Sequence, residues 1–446
     1  MAAEVSELSR RAERAGRGLA AMVRWGRSRC RLAIGAAVLV LGWVGGASAT
    51  AQLTTATWTG AAGDGRYSNP ANWSGGVVPI NSGTTLYNVV VPFISGKSSL
   101  TLDSDVPNDI TVNDFTLANG VTLTVNPNRR FTVDDDAMIS GLVNVAGGRS
   151  QFDSGWALQT PGNTARFAVA QSGTAVVRIP EYSTTGLSAA TANYGVLSAS
   201  GSGSVLDASS IQSWSAAFND SRGDLVTVQT VAASSGGRID LSGLTTLTTP
   251  VYSEDRVDFI VSTGGQIDLS NLATVGGAGS LRLNVNESAA LSAAKLTTAN
   301  SLAIDLRAGA SLSLPELSTV SQLSLNVPNT VTLSLPKLFS VSNVTGVVDG
   351  GATVSLPELV SASGFSLNVF GGGAFVAPKL TSLTSSVVSL TPEQTFVTGT
   401  LANIDNTRIA VSGGRVWGRS TGNLSDASYS TTGLSAATAN YGVLSA

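Results

Sequence analysis

The chain has 446 residues, of which 26 are Lys or Arg and 29 are Asp or Glu, and charged residues make up only 12% of the total. It contains no histidine and a single cysteine. This composition excludes a Ser-His-Asp triad, a Cys-His pair and a histidine metal site, because each of these needs an imidazole. Internal disulfides and cysteine-rich metal sites are excluded as well, since both need at least two cysteines.

Residues 1–51 have the composition of a secretory signal peptide. Four arginines precede the apolar run 32–44, and small residues follow it. Two cleavage registers fit, Ala47-Ser48-Ala49 and Ala49-Thr50-Ala51. The alternative is an uncleaved anchor, but the apolar run is well short of the roughly 20 residues that a spanning helix needs. We therefore expect a secreted protein from which residues 1–51, with Cys30, are removed.

Removal of the signal peptide changes the charge balance. It takes away eight arginines and three glutamates, which leaves 18 basic and 26 acidic residues and a net charge of −8. An acidic chain with few cations is a poor partner for nucleic acids, whose phosphates bind clustered Lys and Arg. No later segment reaches the length of a membrane span. We expect a mature chain with no nucleic-acid partner and no membrane span.

From about residue 54 onward, short runs alternate between apolar and polar residues and end at Gly, Asn, Asp or Pro. Examples are Leu100–Leu102, Phe115–Leu117 and Val121–Val125. Period-2 alternation between turn residues predicts many short β-strands. Residues 185–199 form one stretch whose composition also fits a helix. The sequence therefore predicts an all-β chain, with an N-terminal cap and first strands at 52–100 and irregular rungs at 101–235.

A leucine that follows each short turn recurs through residues 236–399. The spacings are 28, 24, 21, 21, 21 and 21 residues, between Leu244, Leu272, Leu296, Leu317, Leu338, Leu359 and Leu380. Ile211 fits as an earlier member. A 21-residue period suits one rung of a parallel β-solenoid, in which two or three short strands are joined by tight turns and neighbouring rungs cover one another. Proline cannot donate to a strand ladder, so four prolines are expected at corners: Pro315, Pro336, Pro357 and Pro378.

Two columns of polar residues support in-register stacking of these rungs. The residue before the aligned leucine alternates in sign along Lys295, Glu316, Lys337, Glu358 and Lys379. Rungs lie about 4.8 Å apart, so this alternation makes each neighbour attractive. The second column reads Asn284, Asp305, Asn326, Val347 and Asn368. Stacked amide side chains hydrogen-bond along such an axis, and Val347 interrupts the column once.

Residues 182–199 and 429–446 have the same 18-residue sequence. An identity of this length indicates a recent duplication, with an offset of 247 residues. The second copy runs to the last residue. We therefore expect residues 400–446 to begin a further module, in a truncated product or a fragment of a longer array.

The stretch after the signal peptide carries a compact aromatic motif. It contains Trp58-Thr59-Gly60, Gly63-Asp64-Gly65, Asn69-Pro70-Ala71-Asn72-Trp73 and Val78-Pro79. This segment resembles the opening of the passenger domains of bacterial autotransporter-type and other large surface β-helix proteins. The resemblance implies a pectin-lyase-like, right-handed β-helix that is exported to the cell surface. The Leu-Pro-x-Leu words of residues 236–399 also resemble receptor-L-domain-like repeats, which form a parallel solenoid too.

Two readings remain for the tryptophans of this motif. An aromatic lid over the first rung would hide an otherwise unpaired strand edge, and we expect Trp58 and Trp73 to form such a hydrophobic cap. The alternative is a platform on which a ligand stacks.

Charged clusters in the mature chain are the candidates for chemistry. By residue type, Asp134, Asp135 and Asp136 suit Ca²⁺ or a glycosidase, but consecutive residues of a strand point to opposite faces and converge poorly. We therefore interpret them as a solvated turn. Asp103 and Asp105 are two residues apart and can share a face, but the same interpretation applies to them.

Other motifs have equally plain interpretations. Arg129 and Arg130 are a candidate pair for an anionic sugar, although a solvated loop explains them as well. The triplet Gly371-Gly372-Gly373 lacks the lysine and Ser/Thr of a phosphate loop and fits a turn. The alternating Thr122 and Thr124 suggest an ice-binding face, but we expect no repetition of threonine at the rung spacing. We predict no catalytic, cofactor-binding or metal-binding residue.

These expectations favour a secreted or cell-surface, structural or adhesin-like β-solenoid protein without catalytic activity. Its expected partners are extracellular glycans or neighbouring cells, bound by area and multivalency rather than in a deep pocket. The alternative is an extracellular polysaccharide-active enzyme on the same fold, either a lyase or a glycoside hydrolase. That alternative needs convergent carboxylates or a basic residue with Ca²⁺ on one rung face, and the sequence shows no such cluster.

Overall fold

The computed structural model describes residues 51–154, 164–187, 193–219, 226–391, 394–404, 406–411, 415–420 and 428–430. Within them, regular structure is β-strand except for one three-residue 3-10 turn, Pro70–Asn72. The prediction of an all-β chain is confirmed. The signal-peptide prediction and nearly all of the second copy of the 18-residue repeat fall outside the described residues.

The N-terminal part contains ten strands. They are β1 (Gln52–Thr57), β2 (Thr85–Val91), β3 (Ser99–Leu102), β4 (Asp109–Val112), β5 (Asp114–Leu117), β6 (Thr122–Val125), β7 (Arg130–Val133), β8 (Ala137–Ile139), β9 (Leu142–Val145) and β10 (Gln151–Asp153).

The middle part continues with strands of three to eight residues. They are β11 (Arg166–Ala170), β12 (Thr174–Val176), β13 (Glu181–Ser183), β14 (Asn193–Ser200), β15 (Val205–Asp207), β16 (Ser213–Ser215), β17 (Val228–Ser234), β18 (Arg238–Asp240), β19 (Thr246–Thr248), β20 (Arg256–Val261), β21 (Gln266–Asp268), β22 (Thr274–Gly276), β23 (Ser280–Val285) and β24 (Ala290–Ser292).

The most regular rungs and the strands beyond them complete the set. They are β25 (Thr298–Leu306), β26 (Ser311–Ser313), β27 (Thr319–Val327), β28 (Thr332–Ser334), β29 (Ser340–Val348), β30 (Thr353–Ser355), β31 (Ser361–Ser363), β32 (Phe365–Val369), β33 (Ala374–Ala377), β34 (Ser382–Thr384), β35 (Val387–Leu390), β36 (Thr395–Leu401), β37 (Arg408–Val411), β38 (Arg415–Ser420) and β39 (Ser428–Ser430).

Every pairing between these strands is parallel, and the strands follow one another around three faces. Along each rung the chain visits face A, face B and face C in turn, as β18, β19 and β20 show; the next rung repeats the order with β21, β22 and β23. In β25, β27 and β29 a single nine-residue strand bends across faces B and C, and the two faces separate again at β31 and β32. The molecule is therefore a parallel β-solenoid, as the repeats predicted.

The 21-residue period begins earlier than the sequence indicated. On face A, Asp109 pairs with Arg130 and Arg130 with Gln151, each 21 residues further along the chain. Rungs lengthen in the middle part, where Val205 pairs with Arg238, and return to 21 residues at β24 and β26. The helical alternative for residues 185–199 is wrong, because 193–199 belong to strand β14.

The aligned leucines lie at the corner between faces A and B and are fully buried. Each closes a tight turn, as when the Leu338 amide donates to the Leu335 carbonyl at 3.3 Å. In the four Pro-containing words the proline is the second residue of this turn, where its fixed φ is favourable and its missing N–H costs no ladder bond. The corner prediction is thus confirmed, and Ile211 makes the equivalent turn to Ala208.

The core is a single hydrophobic column built from the inward residues of the strands whose side chains the structure describes. Large rings recur in it at the rung spacing: Phe131 stacks on Phe152 at 6.1 Å between centroids, and Phe375 on Phe396 at 5.4 Å. Each of these pairs is also a register pair of neighbouring strands. Because a bare rung would expose this apolar interior, stability comes from stacking neighbours.

Candidate functional site: a hydroxyl face

The N-terminal tryptophans form a cap and not a ligand platform. Trp58 and Trp73 meet edge to face at 5.1 Å between centroids, and Tyr67 packs against Trp73 at 4.9 Å. All three rings are buried. The Trp73 Nε1 donates to the Tyr67 carbonyl at 2.8 Å, and the Tyr67 hydroxyl donates to the Pro79 carbonyl at 2.7 Å. Burial raises the pKa of Tyr67 well above its usual range.

Asp64 organises the loop beside this cap. It accepts hydrogen bonds from the Asn69 Nδ2 at 2.7 Å, the Asn72 Nδ2 at 2.6 Å and the Arg66 amide at 3.1 Å. Hydrogen bonds favour the charged form of a carboxyl, so these donors lower the pKa of Asp64 to about 2. The carboxylate therefore has a structural role, because its three hydrogen bonds hold the loop together.

The acidic candidates lie on turns, as expected. Asp134 and Asp135 are exposed between β7 and β8, and the Asp134 carboxylate accepts a hydrogen bond from the Asn81 Nδ2 at 3.3 Å. Partial burial, and then the charges of Asp135 and Asp114, raise the pKa of Asp136. Among the residues that the structure describes, no group of three or more Asp, Glu or Cys side chains is arranged to hold a metal ion.

The other sequence candidates are held by neighbours. Asp103 and Asp105 both bind the Arg66 guanidinium, at 3.2 Å for the Asp103 Oδ1. Arg129 donates to the Asp103 and Ser104 carbonyls at 3.0 and 2.7 Å, whereas Arg130 reaches Asp109 only at 3.8 Å. Gly371 and Gly372 have φ angles of 60° and 83°, which identifies the glycine triplet as a turn.

The charged column alternates as predicted but forms separate pairs. Lys337 binds Glu316 at 2.6 Å and Lys379 binds Glu358 at 2.7 Å, whereas the Lys295 Nζ donates to the Asn271 Oδ1 at 2.6 Å. All of these side chains are substantially exposed, so each ion pair is worth less than about 1 kcal/mol. The column fixes register more than it adds stability.

The column that begins at Asn284 leads to an ion network that the sequence did not reveal. Asn284, Asp305, Asn326, Val347 and Asn368 are successive register partners on face C. The Asn326 Nδ2 donates to the Asp305 Oδ1 at 3.0 Å, and the Arg282 guanidinium also binds Asp305. Because these neighbours cover it, the outward-facing Asp305 is only 3% exposed.

Arg282 joins two carboxylates in this network. Its Nη1 lies 4.0 Å from the Asp258 Oδ2, while the Arg256 Nε lies 3.0 Å from the Asp258 Oδ1 and the Arg307 Nη2 lies 3.7 Å from the Asp305 Oδ1. Burial raises the pKa of Asp258 despite the two guanidinium groups beside it, and Asp305 adds to that increase. A shallow cleft lies beside these groups, and its lining includes Arg256, Arg282 and Asp305. Because the charges around it are paired with one another, we interpret the cleft as part of a structural network.

Face B carries the most regular surface in the described part of the chain. Its outward residues form two columns, made of serine and threonine except at Gly276 and Asn300, that run through the eight successive strands β16, β19, β22, β25, β27, β29, β31 and β34. The first column consists of Ser213, Thr246, Thr274, Thr298, Thr319, Ser340, Ser361 and Ser382, which are successive register partners. We call these two columns the hydroxyl face.

The second column lies two residues further along each strand. It consists of Ser215, Thr248, Gly276, Asn300, Ser321, Ser342, Ser363 and Thr384. The residue between the two columns is buried in every one of the eight strands. This alternation holds both columns on the outer surface, as the pleat of a strand requires.

The hydroxyl face is uncharged and many of its side chains are available, whereas the Ser363 hydroxyl and the Asn300 amide donate to the Ser342 and Gly277 carbonyls at 2.9 and 3.1 Å. Within the described residues, the side-chain hydroxyls of Thr246, Thr274, Thr298 and Thr319 have no hydrogen-bond partner in the protein. Parallel strands set neighbouring hydroxyls about 4.8 Å apart along the axis and about 6.6 Å apart along a strand, so eight rungs extend for roughly 34 Å. The face therefore presents a periodic array of donors and acceptors.

The expectation that threonines do not repeat at the rung spacing is wrong for this face. On β6 it holds toward β9, where the partners of Thr122 and Thr124 are Leu142 and Asn144, but not toward β3, where Thr124 pairs with Thr101. On face B the repetition was hidden because serine takes the place of threonine in several rungs and because the early rungs have unequal lengths. The signal in the sequence is a serine or threonine on each side of one apolar residue, and this pattern recurs in most of the eight strands.

Comparison of the chain with protein-family models, with curated proteins and with solved structures found no match. Among the described residues, none belongs to a helix that is long and apolar enough to cross a membrane.

Proposed function

We propose that this chain is a secreted or cell-surface β-solenoid that acts as a structural or adhesin-like protein and has no catalytic activity. In this proposal it is an autotransporter-type passenger with a right-handed, pectin-lyase-like coil. The observation that carries the proposal is the hydroxyl face. It is an extended, exposed and regular surface, whereas the charged residues singled out from the sequence are engaged with one another or lie on turns.

An array of this kind suits adhesion. Each hydroxyl contributes only a modest net hydrogen bond, so a single contact is weak. Repetition over eight rungs adds such contacts in parallel, and binding then depends on simultaneous engagement rather than on a deep pocket. Extracellular glycans and the surfaces of neighbouring cells are partners that present many equivalent groups at once.

The proposal is tested by two measurements on the purified protein. The first is binding to whole cells and to a panel of extracellular polysaccharides, where we expect saturable retention. The second is incubation with the same polysaccharides, where we expect no fall in viscosity and no new reducing or unsaturated ends. Turnover of any polymer in the panel would overturn the non-enzymatic proposal and favour a lyase or glycoside hydrolase. Absence of binding to every cell and polymer would overturn the adhesive role.

A further inference from the structure

The hydroxyl face has an apolar element at its edge. The residue before the first column lies at the corner of each rung, and in two neighbouring rungs it is Phe339 and Val360. The Val360 amide donates to the Phe339 carbonyl at 3.0 Å, so these two residues lie directly on one another. Phe339 is 51% exposed and Val360 is 45% exposed. Most corner positions of the neighbouring rungs hold Thr, Ser or Ala instead.

Charge selects the class of ligand for this surface. Neither column contains a charged residue over its eight strands. At the corner beside them Lys337 pairs with Glu316 and Lys379 with Glu358, while Lys295 contacts the neutral Asn271 side chain instead. A charged polymer would therefore lose hydration along most of this surface without gaining an opposite charge. The array therefore favours an uncharged partner with many hydroxyl groups.

The apolar edge distinguishes between the uncharged partners. Ice and an insoluble polysaccharide both present periodic hydroxyls, but only a sugar ring also has a face of C–H groups. Such a face packs against an exposed aromatic ring, as apolar surfaces do generally. An exposed phenylalanine beside a hydroxyl array thus fits a sugar polymer better than it fits ice, which has no C–H face to pack on the ring.

We propose that the hydroxyl face, with Phe339 and Val360 as its apolar anchor, is a binding surface for neutral, insoluble polysaccharides. This inference rests on the proposed adhesive function and names its ligand class. The polymer chains lie flat on face B, their hydroxyls exchange hydrogen bonds with the two columns, and a sugar ring packs on Phe339.

The experiment is co-sedimentation of the purified chain with cellulose, chitin and an insoluble β-glucan. Polygalacturonate, heparin and polycrystalline ice serve as the comparison ligands. Two double variants carry the same change in the same two strands: T319K/S340K alters the hydroxyl face, and S324K/T345K alters face C. Both sites are register pairs of β27 and β29 with outward side chains, so the second is a matched control. A third variant, Phe339→Ser, puts a serine at the corner, because the equivalent corner residue of the preceding rung is Ser318.

We expect the wild-type chain and S324K/T345K to bind at least one neutral polysaccharide equally well. We expect T319K/S340K to weaken binding by more than about tenfold. Phe339→Ser should weaken it by about tenfold, which is the effect of losing one aromatic anchor that the bound polymer covers. Circular dichroism confirms that each variant is folded. If T319K/S340K does not fold, Phe339→Ser still decides the matter, because its exposed ring is not part of the core.

Three sets of results would overturn the inference. Binding to cells or acidic polymers that is unchanged in both T319K/S340K and Phe339→Ser would refute this ligand class and leave the adhesive function standing. Adsorption to ice without binding to any neutral polysaccharide would refute it as well. Absence of binding to every polymer and cell surface would overturn both proposals together.

Discussion

Replacement of Arg282 by glutamine tests how the ion network of face C is held together. Arg282 binds Asp305 and approaches Asp258, and these two carboxylate side chains are only 4% and 7% exposed. Removal of one partner of a buried ion pair leaves an uncompensated charge, which costs about 3–5 kcal/mol. Arg282 is itself 31% exposed, and Arg256 and Arg307 remain as partners. We therefore expect a loss of about 2–3 kcal/mol in the free energy of unfolding at pH 7.

The loss should depend on pH in a defined direction. Burial already raises the pKa of Asp258 above its ordinary value of 3.8, and removal of Arg282 raises this pKa further. When the pKa of a carboxyl is higher in the folded than in the unfolded state, its contribution to the free energy of unfolding is fully present below the unfolded pKa. That contribution is lost as the pH rises through the folded pKa. The deficit of the variant should therefore be small below pH 3.8 and grow as the pH rises toward neutrality.

Urea denaturation at several pH values measures this deficit. The matched control is Arg238→Gln, because Arg238 is 48% exposed and pairs at 3.0 Å with Asp240 on face A. We expect the control to lose less than about 1 kcal/mol at any pH. Equal losses in the two variants, or a deficit in Arg282→Gln that does not change with pH, would refute the role assigned to the network.

The remaining predictions concern the rungs and the cap. Leu338→Ala should lower the free energy of unfolding by about 2–5 kcal/mol, because it opens a cavity at a fully buried corner. Lys337→Ala, one residue earlier, should cost less than about 1 kcal/mol, because its ion pair with Glu316 is exposed. A loss of similar size in these two variants, measured by urea denaturation, would contradict the placement of Leu338 in the core and of Lys337 on the surface. The carboxyl of Asp64 should titrate in NMR with a midpoint of about 2 in the folded chain, and Asn72→Ala should move that midpoint upward. A midpoint near 3.8 would show that the Asp64 loop is not formed in solution.

The architecture was predictable wherever one residue type repeats. Leucine occupies the corner in seven successive turns, and its uniform 21-residue spacing from Leu296 onward predicted the rung length and the in-register stacking. On face A the steps from β4 to β7 and from β7 to β10 have the same 21-residue length but were not recognised. The inward residues of these three strands are Ile110, Phe131 and Phe152, which share apolar character and not identity.

The surfaces were harder to predict because they depend on residues that are distant in sequence. Asp305 was placed correctly in its column, but Arg282 lies on the preceding rung and Arg256 on the rung before that. These three residues also stand in different columns, because the register partners of Arg256 and Arg282 on the next rung are Ser280 and Ala303. The hydroxyl face was hidden because its first three steps, from Ser213 to Thr298, have different lengths.

In-register stacking of parallel rungs can be measured directly by a distance between two spin labels. Thr246 and Ser382 lie on β19 and β34, which are separated by six successive register steps on face B. Labels on T246C/S382C, in a background where Cys30 is replaced by serine, should give a narrow distribution centred near 29 Å at a rung spacing of about 4.8 Å. A broad distribution, or a mean far from that distance, would contradict the stacking of one rung directly on the next.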